Sequence, residues 1–148
     1  MKTKLSILAL SLLAAVGLTA SASAAAESDK EVEARKQALD LAGAFSNDGF
    51  KIRDGHWSGT IKPRERAVIA VNLYAGNHYW FSVGAADQAK KLEVTVYDET
   101  GQQVTTESYS DEKKAAAGFS PTNSGQYFVA VGVLEGGEGS ICFLYSYK

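Results

Sequence analysis

The 148-residue sequence has one cysteine, two prolines, two histidines and no excess of basic charge, with 15 Lys and Arg against 17 Asp and Glu. One cysteine rules out an intrachain disulfide framework, so the chain has to rely on its core for stability. Cys142 stands in Ile141-Cys142-Phe143-Leu144, which reads as a buried strand. No cationic neighbour in sequence would lower its thiol pKa, so it is expected as a small core hydrophobe. Two isolated histidines, without H-E-x-x-H or C-x-x-C, do not spell a zinc ligand set. The lack of a Lys/Arg stripe argues against nucleic acid, whose phosphates dominate affinity.

Long apolar runs are also scarce, and the single one lies at the start. Met1-Lys2-Thr3-Lys4 is a short basic stretch, Leu5 to Leu18 carries no charge, and Ala22-Ser23-Ala24 fits the small-residue cleavage rule. The apolar run falls short of the roughly 20 residues a span needs, and no basic flank follows it. Residues 1–24 therefore read as a cleavable signal peptide, cut after Ala24 or, as a second choice, after Ala26. Removing Lys2 and Lys4 leaves 13 basic residues against 17 acids, a formal charge of −4. The expected destination is periplasmic or extracellular, with no membrane span after cleavage.

Beyond the leader the chain divides into an N-terminal helical segment, 25–49, and a strand-rich domain, 50–148. Ser28 to Glu31 is a capping-box pattern, and Ala34, Ala38, Leu41 and Phe45 recur at helical spacing, so a helix is expected over Glu27–Ser46. Asn47-Asp48-Gly49 ends it. Strands are predicted near Trp57–Ile61, Ala67–Tyr74, His78–Gly84, Lys91–Tyr97, Gln103–Glu107, Ala115–Ser120, Gln126–Val133 and Ser140–Tyr147. Turn residues such as Ala75-Gly76-Asn77 and Ser110-Asp111 separate them. About eight short, evenly spaced strands imply a mainly β, jelly-roll-like antiparallel sandwich behind one helix. Alternation assigns Ile69, Val71 and Leu73, then Tyr79, Phe81 and Val83, then Leu92, Val94 and Val96, then Tyr127, Val129, Val131 and Val133 to the core.

Three stretches carry a family resemblance. They are Val71-Asn72-Leu73-Tyr74-Ala75-Gly76-Asn77-His78-Tyr79-Trp80-Phe81, Leu92 to Gly101 ending in Tyr97-Asp98-Glu99-Thr100-Gly101, and Phe119-Ser120-Pro121-Thr122-Asn123-Ser124-Gly125-Gln126-Tyr127-Phe128-Val129. In this order they resemble the bacterial pre-peptidase C-terminal domain, a β-sandwich appended to many secreted proteases and other exported proteins. The resemblance covers roughly Trp57 to Tyr147 and implies the sandwich fold. The family's usual context is attachment to a catalytic unit, whereas here a helix precedes the domain. Residues 47–60 also lack the acidic cluster through which some members bind calcium.

No G-x-S-x-G elbow accompanies His56 or His78, so no catalytic residue is assigned. Loop carboxylates are more plentiful. Calcium tolerates irregular oxygen sets, which makes Asp98, Glu99 and Asp111 its candidate ligands, although no EF-hand spacing is present. Among the aromatics, Trp57, Trp80 and Tyr109 are the candidate contacts for a polysaccharide or a protein partner. Trp80 lies between Tyr79 and Phe81 and so faces away from the predicted core. It is either a binding platform or the seat of the N-terminal helix, with Leu41 and Phe45 covering Trp80 or Trp57. Three functions stay open: a non-catalytic binding or accessory module, a small hydrolase or protease-associated factor, and an envelope protein that self-associates through the helix.

Overall fold

The computed structural model describes residues 27–148; the expected leader and both cleavage sites lie outside the described residues. One helix, α1 (Asp29–Ser46), precedes nine strands: β1 (Lys51–Ile52), β2 (Trp57–Ile61), β3 (Arg66–Leu73), β4 (Tyr79–Ala85), β5 (Ala89–Tyr97), β6 (Glu107–Asp111), β7 (Lys114–Phe119), β8 (Gly125–Gly136) and β9 (Gly139–Tyr147). They form two antiparallel sheets. The larger runs β1-β9-β4-β7-β6, with β2 also paired to β9; the smaller runs β3-β8-β5. The fold is a β-sandwich preceded by one helix, as the alternating pattern predicts.

The strand order is that of a jelly roll with one strand displaced. The chain after β5 starts as a fourth strand of the smaller sheet: Gln103 bridges Tyr97, and the Val104 N–H donates to Val96 O. It then crosses over and pairs with β7 as β6. This corrects the strand predicted over Gln103–Glu107. Val104 is the last apolar side chain there and packs on the core; the polar residues after it have nothing to bury, so they form an exposed edge. Ser110-Asp111, predicted as a turn, belongs to that edge, and the chain reverses at Glu112-Lys113, where Lys113 takes a φ of 61°. The two-residue β1 also escapes the sequence pattern.

Between the sheets lies the main core, with Tyr79, Phe81 and Val83 of β4, Ile141 and Phe143 of β9, and Val129 and Val131 of β8 at its centre. Tyr127 and Val133 are buried as predicted, while Ile69 and Val94 pack at the margin, half-buried.

A second, smaller core sits on the outer face of the larger sheet, where α1 lies across β4 and β9. The capping box forms in full: the Glu31 N–H donates to Ser28 Oγ at 3.2 Å, and the Ser28 N–H donates to Glu31 Oε2 at 2.9 Å. Ala34, Ala38 and Ala42 then meet Ala86, Cys142 and Leu144. Both surfaces are built of small residues, so the backbones approach closely. A Cβ on Gly84 would stand 2.3 Å from Ala34 O and 2.4 Å from the Ala38 N. Cys142 is thus buried, but under the helix and not between the sheets. Burial, foremost, pushes its thiol pKa up. At the far end of the helix Phe45 stacks on Trp80, with centroids 4.3 Å apart and planes 8° from parallel. No described helix is long and apolar enough to cross a membrane.

Candidate functional site

The edge of the larger sheet is interrupted beside β9. Ile52 pairs with Ser146 and Trp57 with Phe143, so four residues, Arg53 to His56, stand opposite only two, Leu144 and Tyr145. The surplus is thrown outward as a loop. The Arg53 N–H still donates to Tyr145 O, and Gly55 turns the chain with a φ of 93°, a conformation that costs glycine little. The loop faces β3, the edge strand of the smaller sheet, across the open side of the sandwich.

Two adjoining hollows fill the gap. The first, about 320 Å³, is walled by the loop from Arg53 to Trp57, by Ile69 to Asn72 of β3 and by Phe143 to Tyr145 of β9. The second, about 350 Å³, is walled by Arg53, Asn72, Tyr74, Asn77, Tyr79 and Tyr147. Arg53 and Asn72 belong to both, so the hollows form one groove. Trp57 pairs with Phe143 on the inward face and lies over Gly59, where a Cβ would come within 2.6 Å of the indole. Tyr145 and Tyr147 follow on the same face of β9 at the two-residue period of a strand. The Arg53 guanidinium lies 5.3 Å from the centre of the Tyr145 ring and donates to its hydroxyl. Aromatic faces therefore alternate with planar polar groups: a guanidinium, a carboxylate, an imidazole and two amides.

Of the candidate contacts and calcium ligands expected from sequence, Trp57 lies in this groove and Trp80, Tyr109, Asp98, Glu99 and Asp111 do not. Trp80 is on the opposite, outer face. Its indole rests on Gly118, where a Cβ would meet it at 2.9 Å, and carries Phe45 stacked on it, so the helix covers Trp80 as one of the two sequence readings expected. Tyr109 is 43% exposed on β6, paired with Ala116 on that outer face. Asp98 and Glu99 border a third hollow of about 280 Å³ at the end of the sandwich where β5 stops and β8 starts. Asp111 stands at the other end, in the β6–β7 hairpin, so the three candidate calcium ligands do not converge. Asp98 serves its own turn: Oδ1 accepts from the Thr100 hydroxyl at 2.6 Å, the Thr100 N–H at 2.9 Å and the Gln102 N–H at 3.0 Å. These bonds, the Thr100 hydroxyl first, hold its carboxyl below the usual range. Among the described residues no group of three His, Cys, Asp or Glu is placed to hold a metal ion.

The sequence does not mark Arg53, Asp54, Asn72 or Asn77 as contacts, and it marks Tyr79 as core only. Two signals are present: a turn-forming Asp54-Gly55 two residues before Trp57, and the one-face spacing of Tyr145 and Tyr147. His56 is exposed in the groove. The His78 side chain lies on the outer face of the sheet instead, edge-on to Phe50 at 5.2 Å with Nε2 3.6 Å from Glu107.

Fold and groove together define a helix-capped β-sandwich with an aromatic and polar cleft along one open side. No family model matches the chain, and no curated protein matches it. A solved structure described as "CBM4 structure and function" is similar at 19% identity and a TM-score of 0.43, over 72% of this chain and 83% of that one.

Proposed function

We propose that this chain is an exported, non-catalytic binding module that holds a polysaccharide strand in the groove between the β1–β2 loop and β3. The observation that carries the reading is the pairing of ring faces with planar hydrogen-bonding groups in one open cleft. A sugar ring offers an apolar C–H face and a rim of hydroxyls. Trp57 and Tyr145 suit the first, while Asp54, His56, Asn72 and Arg53 suit the second. The wall residues include one carboxylate, Asp54, and no serine, threonine or cysteine. A two-carboxylate glycosidase or a Ser–His hydrolase would need groups the cleft does not bring together. The self-association reading loses support because Ala34, Ala38, Leu41 and Ala42 of α1 are buried against the chain's own sheet, which leaves Val32 and Leu39 as its exposed apolar side chains. The resemblance to the pre-peptidase C-terminal domain fits an accessory role of this kind.

The test is calorimetric titration of the purified chain with soluble polysaccharides, alongside Trp57→Ala and Asn72→Ala. Asn72 is exposed, so its truncation leaves the core intact. Each variant is expected to weaken binding at least tenfold, about 1.4 kcal/mol. Binding that neither substitution changes would refute the site, and binding to no polysaccharide would point the groove towards a protein partner.

A further inference from the structure

We infer that the second hollow of the groove is a carboxylate pocket, so that the strand the groove takes carries uronic acid units; this deepens the polysaccharide reading and rests on it. The chain is acidic overall, yet the walls of this hollow hold one cation, two amides and three phenols and no carboxylate. Lys51 stands opposite Tyr147 in the strand register, so a second cation flanks it.

The hydrogen-bond capacity of Tyr79 supplies an independent argument. Its side chain is almost wholly buried, and its hydroxyl oxygen accepts from the Tyr74 N–H at 2.8 Å and from Asn77 Nδ2 at 3.1 Å. A phenol has two acceptor positions and one hydrogen to give. Both acceptor positions are filled, and the hydrogen meets no acceptor among the described residues. Turning the Asn77 amide round lets Tyr79 donate to its oxygen and frees the amide N–H groups of Asn77, itself a wall residue of the hollow. A donor left over at the wall of a hollow is a contact ready for a ligand, and an anionic oxygen is the strongest acceptor it could meet. Arg53 spends Nη1 on the Tyr145 hydroxyl, which leaves the rest of its fork for the same anion. The adjoining hollow, with Trp57, accommodates the neighbouring sugar of the strand.

The experiment titrates the purified chain with oligogalacturonate, oligomannuronate and oligoglucuronate, each beside its carboxyl-reduced, neutral counterpart. At least one acidic set should bind tenfold or more tightly than its neutral counterpart, and added salt should weaken it. Arg53→Gln, at an exposed position, should abolish that preference, so that acidic and neutral oligomers bind alike; Tyr79→Phe should reduce it. Equal binding of acidic and reduced oligomers would overturn the carboxylate pocket and leave the polysaccharide reading standing. Binding of neither kind would overturn both. A preference that survives Arg53→Gln would remove the pocket from this hollow. A free uronic acid binding as tightly as its oligomer would overturn the assignment to a strand.

Discussion

Substituting Gly84 by alanine adds a single methyl group, and the structure puts it where no atom fits. The new Cβ would lie 2.3 Å from Ala34 O, 2.4 Å from the Ala38 N and 2.7 Å from Gln37 Cβ, two of the three being backbone atoms that no rotamer change can move. Ordinary contact begins near 3.4 Å, so α1 has to lift by about 1 Å. A gap of that size forfeits a quarter to a half of each dispersion contact it opens. Overpacking of this kind costs about 1–3 kcal/mol, which multiplies the helix-open population roughly 5- to 150-fold. Cys142, the sole cysteine and buried under this helix, reports that opening. With excess thiol reagent, the labelling rate of Gly84→Ala should rise by the same factor over wild type, and the unfolding midpoint should fall by several degrees. Gly43→Ala is the matched control. That glycine is exposed on α1 with nothing within 4 Å of its would-be Cβ. Alanine there should stabilise the helix by up to about 1 kcal/mol and slow the labelling. If both variants label Cys142 at the wild-type rate, the close approach does not hold the helix and the reasoning fails.

Two further predictions concern the helix seat and a turn. Phe45→Ala removes the ring stacked on Trp80, which should cost about 0.5–1.5 kcal/mol beyond the lost burial and shift Trp80 emission to the red; an unchanged spectrum would contradict the stack. The carboxyl of Asp98 is held below its ordinary value in the folded chain, so its turn bonds stabilise above about pH 4 and that contribution is lost as acidification carries the pH through the lowered value. Asp98→Asn should therefore flatten the acid limb of a stability-against-pH curve, and parallel curves for variant and wild type would refute the assignment.

How far the sequence could be read depended on how local each signal was. Alternation along β3, β4 and β8 exposed the core because a strand's burial is written at a two-residue period. The capping box and the Ala34–Ala38 stripe exposed α1 for a similar reason. The groove has no such local code. Its walls come from the β1–β2 loop, from β3 and the turn after it, and from the end of β9; the register of β9 sets the first beside the last, and the packing of the two sheets brings β3 opposite them. Trp80 drew attention because it breaks the inward pattern, but that break marks the seat of the helix. Tyr79 was read as core, which it is; that its hydroxyl also faces a hollow follows from the turn after Tyr74, which the strand pattern does not encode.

The interruption between β1 and β2 also separates two kinds of change over generations. Pairing with β9 resumes in register on both sides of Arg53 to His56, so, apart from the positive-φ glycine at 55, the sheet depends little on which side chains those positions carry. Residues could be exchanged or inserted there without slipping either flank, much as a variable loop is carried on a constant frame. A lineage could thereby retune what the groove accepts while its core stays fixed, and grafted loop libraries at 53–56 would be the place to try the same thing in the laboratory.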